Sequence, residues 1–213
     1  VALDAEQTIS RRLTGEQRRQ QLVEVAASLF SERGYRSTTM DDVAEAAGVT
    51  KPLLYQHFSS KKALYLELVD EVAHRMLAAV AEATSQAESP RQKVEFSLNA
   101  YFILVVSDKA SFQLLYDRDH GGDEELGRAV RQVQHALVTA IEPLIDAGLD
   151  DNHRRFLASG MVGMAEGASL SWIESQVDAV PIATDEERLA EADRLARRLS
   201  SLMWAGLRSV QAD

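Results

Sequence analysis

Residues Thr39–Leu66 read TMDDVAEAAGVTKPLLYQHFSSKKALYL. Two short helices fit this stretch, separated by Gly48, and a third begins after Ser59-Ser60. Thr39 is placed to cap the first helix: its hydroxyl accepts an amide of the opening turn, and Asp42 stands three residues on, as in a capping box. Val43, Ala44 and Ala47 form a compact apolar face of small side chains. Gly48 stops the helix where a left-handed backbone costs least. Thr50 is expected to cap the second helix. Pro52 is tolerated in its first turn, because the amide it lacks would have no partner there. Leu54 and Phe58, four apart, face inward. Lys51, Leu53, Tyr55, Gln56 and His57 are left to point elsewhere.

Such a pair is a helix-turn-helix. Two helices that merely pack together have the same apolar pattern. The outward set of the second helix separates the two readings. Amide, imidazole, phenol and ammonium groups crowd one short helix, with Lys61 and Lys62 just beyond. Packing has no use for them. A helix entering a major groove needs donors for phosphates and a few groups for base edges.

The chain carries these features in a recognisable order. F-x-x-x-G-Y spans Phe30–Tyr35, T-T-x-x-x-V-A-x-x-A-G-V follows, and L-Y-x-H-F-x-S-K ends at Lys61. In this order and spacing the stretch from about Arg18 to Leu68 resembles the TetR family of bacterial transcriptional regulators. That resemblance implies an N-terminal DNA-binding head, a ligand-binding body and a homodimer. By motif position Tyr55, His57 and Lys61 resemble the family's phosphate contacts, with Thr39 near the backbone. Thr50, Lys51, Pro52, Leu53 and Gln56 remain for the groove. Lys51 suits guanine, Gln56 adenine, and the apolar pair thymine methyls.

A net charge of −10 over 213 residues argues at first against nucleic acid. Its distribution answers the objection. Residues 1–62 hold nine Lys/Arg against eight Asp/Glu, net +1, and the remainder holds fourteen against twenty-five, net −11. An acidic body with a locally basic head suits DNA binding at one end. There are no cysteines, which excludes disulfides and thiolate metal sites and suits a reducing cytoplasm. No apolar run reaches membrane-spanning length and no secretory signal is visible, so a cytoplasmic location without membrane partners is expected.

From the head outward, residues 1–13 read as a polar arm whose Arg11-Arg12 either reach phosphates or stay solvated. Thr14 and Gln17 form a capping box for a helix to about Arg33. Leu64, Leu68, Val72, Met76 and Val80 mark a long helix from Lys61 to about Thr84, a lever joining head and body. Further helices are expected over about Arg91–Ser107, Lys109–Tyr116, Glu124–Ala147 with Pro143 kinking it, Asn152–Gln176 and Asp185–Val210. The expected fold is all-α with about nine helices. It divides into an arm (1–13), a helix-turn-helix domain (14–62) and an effector-binding and dimerisation domain (63–213).

The helix over Ser159–Trp172 carries Gly160, Gly163 and Gly167 with Ser171 on one side. A glycine inside a helix costs roughly 1 kcal/mol, and close approach of another helix is the natural compensation. Leu195, Leu199, Leu202 and Met203 give the last helix an apolar stripe. Together these predict a four-helix dimer interface, in agreement with the family's use of its last two helices.

The resemblance places an effector pocket among the middle helices. The residues expected there are Phe96, Tyr101, Phe102, Phe112, Tyr116, Met161, Met164 and Trp172, each of which fits plain core as well. With no cation assigned to this set, an apolar or weakly polar effector is expected over a compact anion. The stretch AGLDDNHRRFLASGMVGMAEG (Ala147–Gly167) is similar to a segment of the branch that regulates fatty-acid synthesis and senses acyl-coenzyme A. The expected function is a repressor released from a pseudo-palindromic operator by this effector. Activation by the same machinery, or a DNA-binding factor without an effector, stays open. The five histidines are scattered, Asp117–His120 is a Gly-flanked charged loop, and no nucleophile elbow or phosphate loop occurs. No catalysis, metal or cofactor is expected.

Overall fold

The computed structural model describes residues 13–116, 123–145, 148–176 and 182–210. Among them are nine α-helices and no strand. They are α1 (Gly15–Arg33), α2 (Met40–Ala46), α3 (Lys51–His57), α4 (Lys61–Ser85), α5 (Pro90–Ser107), α6 (Lys109–Tyr116), α7 (Glu124–Ile141), α8 (Asp151–Ser175) and α9 (Asp185–Leu207). The arm residues Arg11 and Arg12 and the Asp117–His120 run lie outside the described residues.

Local chemistry sets most of the helix ends. Thr14–Gln17 and Thr39–Asp42 form the two expected capping boxes, and Thr184–Glu187 forms a third. Gly34, Gly48 and Gly148 take positive φ where chain direction changes. Two expectations need correction. Thr50 stands at the N-cap of α3 but its side chain makes no cap hydrogen bond. The helix expected over Glu124–Ala147 ends as α-helix at Ile141 and tightens into a 3₁₀ turn over Glu142–Leu144. Pro143 has no amide to donate to the α-helical ladder, so the α-helix stops short of it where a kink or a weakening was expected.

Helices α1, α2 and α3 with the start of α4 form the head. Leu22, Ala26, Phe30, Val43, Leu54, Phe58 and Leu64 are all buried at its centre. The rings of Phe30, Tyr35 and Tyr65 meet pairwise with centroids 5.1–5.7 Å apart, and the Tyr65 hydroxyl donates to the Leu114 carbonyl of α6 at 3.1 Å. Head and body are therefore joined through α4 and through a buried α4–α6 bond. Two polar links add to this, Gln20 to Glu71 and Lys62 to Asp123, while Arg75 to Asp108 ties α4 to the end of α5 within the body.

The body is a helical bundle in which α5 packs against α4 and α9, and α7 against α4 and α8. Phe102, Phe112, Leu126, Val138 and Trp172 are buried within it. Two features break the usual burial pattern. Phe156 is 76% exposed and Leu202 62% exposed, on the outer faces of α8 and α9. A cavity of about 220 Å³ lies between α4, α5, α7, α8 and α9.

Candidate nucleic-acid interface and ligand cavity

Helix α3 presents Lys51, Pro52, Tyr55 and Gln56 to solvent, with Tyr55 44% exposed. Leu53 and His57 are half-buried beside them. Leu54 and Phe58 anchor the opposite side in the core. Arg19 of α1 fixes the far end of α3: its guanidinium donates to the His57 carbonyl at 3.0 Å, pairs with Glu67 at 2.8 Å and lies 4.5 Å above the Phe58 ring centre. A cation is favourable at a helix C-terminus, so one side chain sets the angle between α1, α3 and α4. Sequence reasoning did not assign this role to Arg19. Its signal was the Arg18-Arg19 pair one turn before the apolar face of α1.

Thr39 is fully engaged in its own cap. Its hydroxyl donates to the Asp42 carboxylate at 2.6 Å and accepts the Asp42 amide at 3.1 Å. The Thr39 bonds hold the Asp42 carboxyl below the ordinary carboxylate range. Lys51 pairs with Asp41 of α2 at 2.7 Å, an exposed bond that water or DNA can replace.

Lys61 is placed differently from its expected phosphate role. Its ammonium donates to the carbonyls of Tyr35 at 2.6 Å and Thr38 at 2.8 Å and sits 4.3 Å from the Tyr35 ring centre. Burial lowers its pKa from the ordinary lysine value. The next residue, Lys62, pairs with Asp123 at 3.0 Å and with Glu125. Both lysines lie at the N-terminus of α4, where the helix dipole disfavours cations. Carbonyls from the α1–α2 loop and carboxylates from the start of α7 neutralise them. Lys61 therefore holds the loop in front of α2, and Lys62 ties the head to α7.

In the body, only Tyr101 and Met161 of the expected pocket residues line the cavity. Phe102 and Phe112 are core, packed edge-on with Tyr101. Trp172 is buried elsewhere and donates its indole N–H to Glu191 at 2.8 Å. Phe96 and Met164 are exposed on the outer surface. The Tyr116 side chain lies outside the described residues. The wall is aliphatic instead, from Val80, Val94, Leu98, Leu137, Ile141, Val162 and Leu207 among others. Large rings fill space and belong to the packed core, whereas a void persists where smaller side chains leave one.

Three charged residues, Lys93, Arg208 and Glu166, also line this cavity, and sequence reasoning placed no cation there. Lys93 and Arg208 have no side-chain hydrogen bond or ion pair among the described residues. Glu166 faces Gln134 of α7, and burial raises its pKa above the ordinary glutamate value. A sequence signal existed for all three. Each continues an apolar wall at helical spacing: Lys93 precedes Ser97 and Tyr101, Glu166 follows Val162, and Arg208 follows Trp204.

The expected dimer residues also divide. Gly160, Gly163, Gly167 and Ser171 are exposed along one face of α8, with Phe156 and Met164 beside them. A Cβ added at any of the three glycines would meet nothing within 4 Å. Leu195, Leu199 and Ser171 line a shallow groove between α8 and α9, and Leu202 is exposed. Met203 does not share this surface. It is 3% exposed and lines the cavity, because Ala192, Ala196, Ser200 and Met203 form the inner stripe of α9.

A helix-turn-helix head with an outward-facing α3, joined by a long helix to a bundle with an apolar cavity, defines a one-component DNA-binding regulator. The comparisons specify which kind. A profile for bacterial regulatory proteins of the tetR family matches residues 22–68. The HTH-type transcriptional activator FasR of Mycolicibacterium smegmatis is 29% identical over 201 residues, 93% of this chain and 87% of its own length. A TetR-like transcriptional regulator from Rhodococcus sp. RHA1 has the same structure with a TM-score of 0.74 at 25% identity, over 93% of this chain and 100% of that one. FadR from Bacillus subtilis, solved in complex with stearoyl-CoA, shares the fold at a TM-score of 0.65 and 16% identity, over 85% of this chain and 97% of that one. Residues 22–68 thus match the tetR family of bacterial regulatory proteins, and the chain as a whole resembles TetR-like regulators in fold. It is a ligand-responsive DNA-binding regulator and not an enzyme. Members of the family bind DNA and small-molecule effectors and dimerise.

Proposed function

We propose that a homodimer of this chain binds an inverted-repeat operator through α3 and that an acyl compound with an anionic head, entering the cavity, releases it. The observation that carries this reading is the aliphatic cavity whose wall holds Lys93 and Arg208, neither paired among the described residues. The two cations add an anionic head to the expected apolar or weakly polar effector. An apolar tail gains from leaving water, while an anion meets two cations without competing partners. The FadR neighbour, whose structure holds stearoyl-CoA, supports the same class, although at its identity it speaks for the fold alone.

The mechanism follows from size and connection. At about 220 Å³ the cavity is smaller than the roughly 300–1,000 Å³ of ordinary ligand sites. A long chain must widen it. Val80 of α4 is part of the wall, and the other end of α4 begins four residues after the last residue of the reading helix, His57. Widening therefore moves the head. A ligand that binds the widened form better by about 1–3 kcal/mol changes operator occupancy usefully. Whether release raises or lowers transcription depends on where the operator lies. The repressor expectation gains no advantage, since the relative matching most of the chain is an activator. DNA as the partner implies the bacterial cytoplasm.

Three exposed glycines with open space above them support α8 as one half of the dimer surface, with Leu195, Leu199 and Leu202 of α9 continuing it. Domains of residues 14–62 and 63–213 remain the working division, with α4 crossing the boundary. The test uses the full-length protein. An operator is selected from random duplexes, and its binding is followed by fluorescence anisotropy with and without palmitoyl-CoA. Loss of affinity with palmitoyl-CoA but not with coenzyme A supports the reading. Unchanged affinity, together with no thermal shift, overturns the effector assignment.

A further inference from the structure

Among the described residues Glu166 is the one acidic residue in the cavity wall. It lies on α8 among Met161, Val162 and Ala165, where a leucine would simply extend the aliphatic surface. It has no cationic partner among the described residues, only the side chain of Gln134. A half-buried carboxyl without a cation costs free energy unless something donates to it. Tyr101, the neighbouring polar wall residue, is already satisfied by the Ser169 hydroxyl at 3.0 Å.

The register of the helices locates Glu166 along the cavity. On α5 the lining residues run from Pro90 to Tyr101, and on α8 from Leu157 to Glu166. Both runs stop at the same level, because Ser169, the partner of Tyr101, is the next α8 residue but two after Glu166. Tyr101 and Glu166 thus mark the inner end. Lys93 lies eight residues before Tyr101, about 12 Å by helical rise, and exposed Arg208 follows the last turn of α9. The cations therefore stand on the order of 10 Å from the carboxyl.

We propose that Glu166 determines ligand specificity by accepting a hydrogen bond from a hydroxyl or amide N–H carried on the ligand chain, at that depth from its anionic head. This rests on the cavity being the effector site, as proposed above. A plain alkyl chain covers the carboxyl without donating to it and is disfavoured. A chain bearing a donor at that depth replaces the lost water.

The test compares decanoate with ω-hydroxydecanoate, two minimal probes that differ only by a terminal hydroxyl, by calorimetry and thermal shift on the full-length protein. Wild type is expected to prefer the hydroxylated probe by about tenfold, the worth of roughly one net hydrogen bond. Glu166→Gln keeps an acceptor and retains part of that preference. Glu166→Leu loses it and binds decanoate more tightly than wild type does. Equal binding of the two probes to wild type, or a preference that survives Glu166→Leu, overturns the proposal while leaving the cavity as the effector site. If neither probe nor palmitoyl-CoA binds wild type, the effector reading itself fails.

Discussion

Head and body use the same residue types for opposite ends. In the head, alanine and leucine close a core without gaps: Leu22, Ala26, Leu54 and Leu64 show no exposed surface, and Phe30 only 1%. In the body, leucines and valines of five helices stop short of one another and leave a cavity. Glycines differ likewise. Gly48 sits at a positive φ that the turn between α2 and α3 requires, whereas Gly160, Gly163 and Gly167 lie in ordinary helix with open space outside. A reading head must hold one geometry, and a sensor must have somewhere to give. The difference teaches that here function follows where packing is left incomplete.

The largest test of this contrast is truncation. Phe30→Ala in the head should cost about 3–5 kcal/mol in urea denaturation, as buried aromatic deletions do. Met161→Ala borders space that is already empty and should cost less than half as much. Equal costs would mean that the cavity is as tightly coupled as the head core. Lys61→Ala comes next. It leaves carbonyls of Tyr35 and Thr38 unpaired, so a loss of about 1.5–3 kcal/mol is expected. DNA affinity should fall equally for all sequences, because a loop and not a base contact is lost. Comparable in size is Gln56→Ala, which should relax preference at one position of each half-site by about 1–3 kcal/mol without changing stability. Selection of binding sites with the variant measures this, and a uniform loss would remove Gln56 from the base readers.

Smaller and of opposite sign is Gly163→Ala. In the isolated chain it should stabilise α8 by up to about 1 kcal/mol. If α8 meets its copy closely, the same change weakens the dimer, which sedimentation velocity resolves. A stabilised and undiminished dimer would place the interface elsewhere. The finest probe is pH, where the two regions have opposite signs. The Asp42 pKa is lowered, so its contribution is present above the unfolded value and is lost as pH falls through the folded one. That of Glu166 is raised, so its contribution is present below the unfolded value and is lost as pH rises through the folded one. Melting curves of Asp42→Asn should flatten the acid side of the stability profile, and those of Glu166→Gln the side above pH 4.5, the ordinary glutamate value.

How much could be read in advance follows the same division. Capping residues, Gly48 and the inward pair Leu54 and Phe58 act within a few residues of themselves, so spacing in the sequence already expresses their geometry. The outward residues of α3 follow from the same arithmetic. Lys61 did not. Its partners, Tyr35 and Thr38, stand more than twenty residues away, and only folding brings those carbonyls to the start of α4. Of the expected pocket residues only Tyr101 and Met161 line the cavity, for a related reason. Aromatic spacing on α5 and α6 identifies an inner face but not whether that face is filled. Phe102 and Phe112 filled it, and the void opened toward the start of α5, between Lys93 and Tyr101.

By itself the sequence determined an all-α chain, its helix boundaries to within a few residues, and a helix-turn-helix whose reading face is α3. These depend on periodicity, caps and turns, all local. Tertiary structure alone decided that Arg19 clamps α3, that Lys61 and Lys62 serve the fold, that Met203 turns inward, and that Lys93, Arg208 and Glu166 border an aliphatic cavity. Those outcomes depend on which surfaces meet and how completely they fill the space between them, and that is a property of the packed helices together.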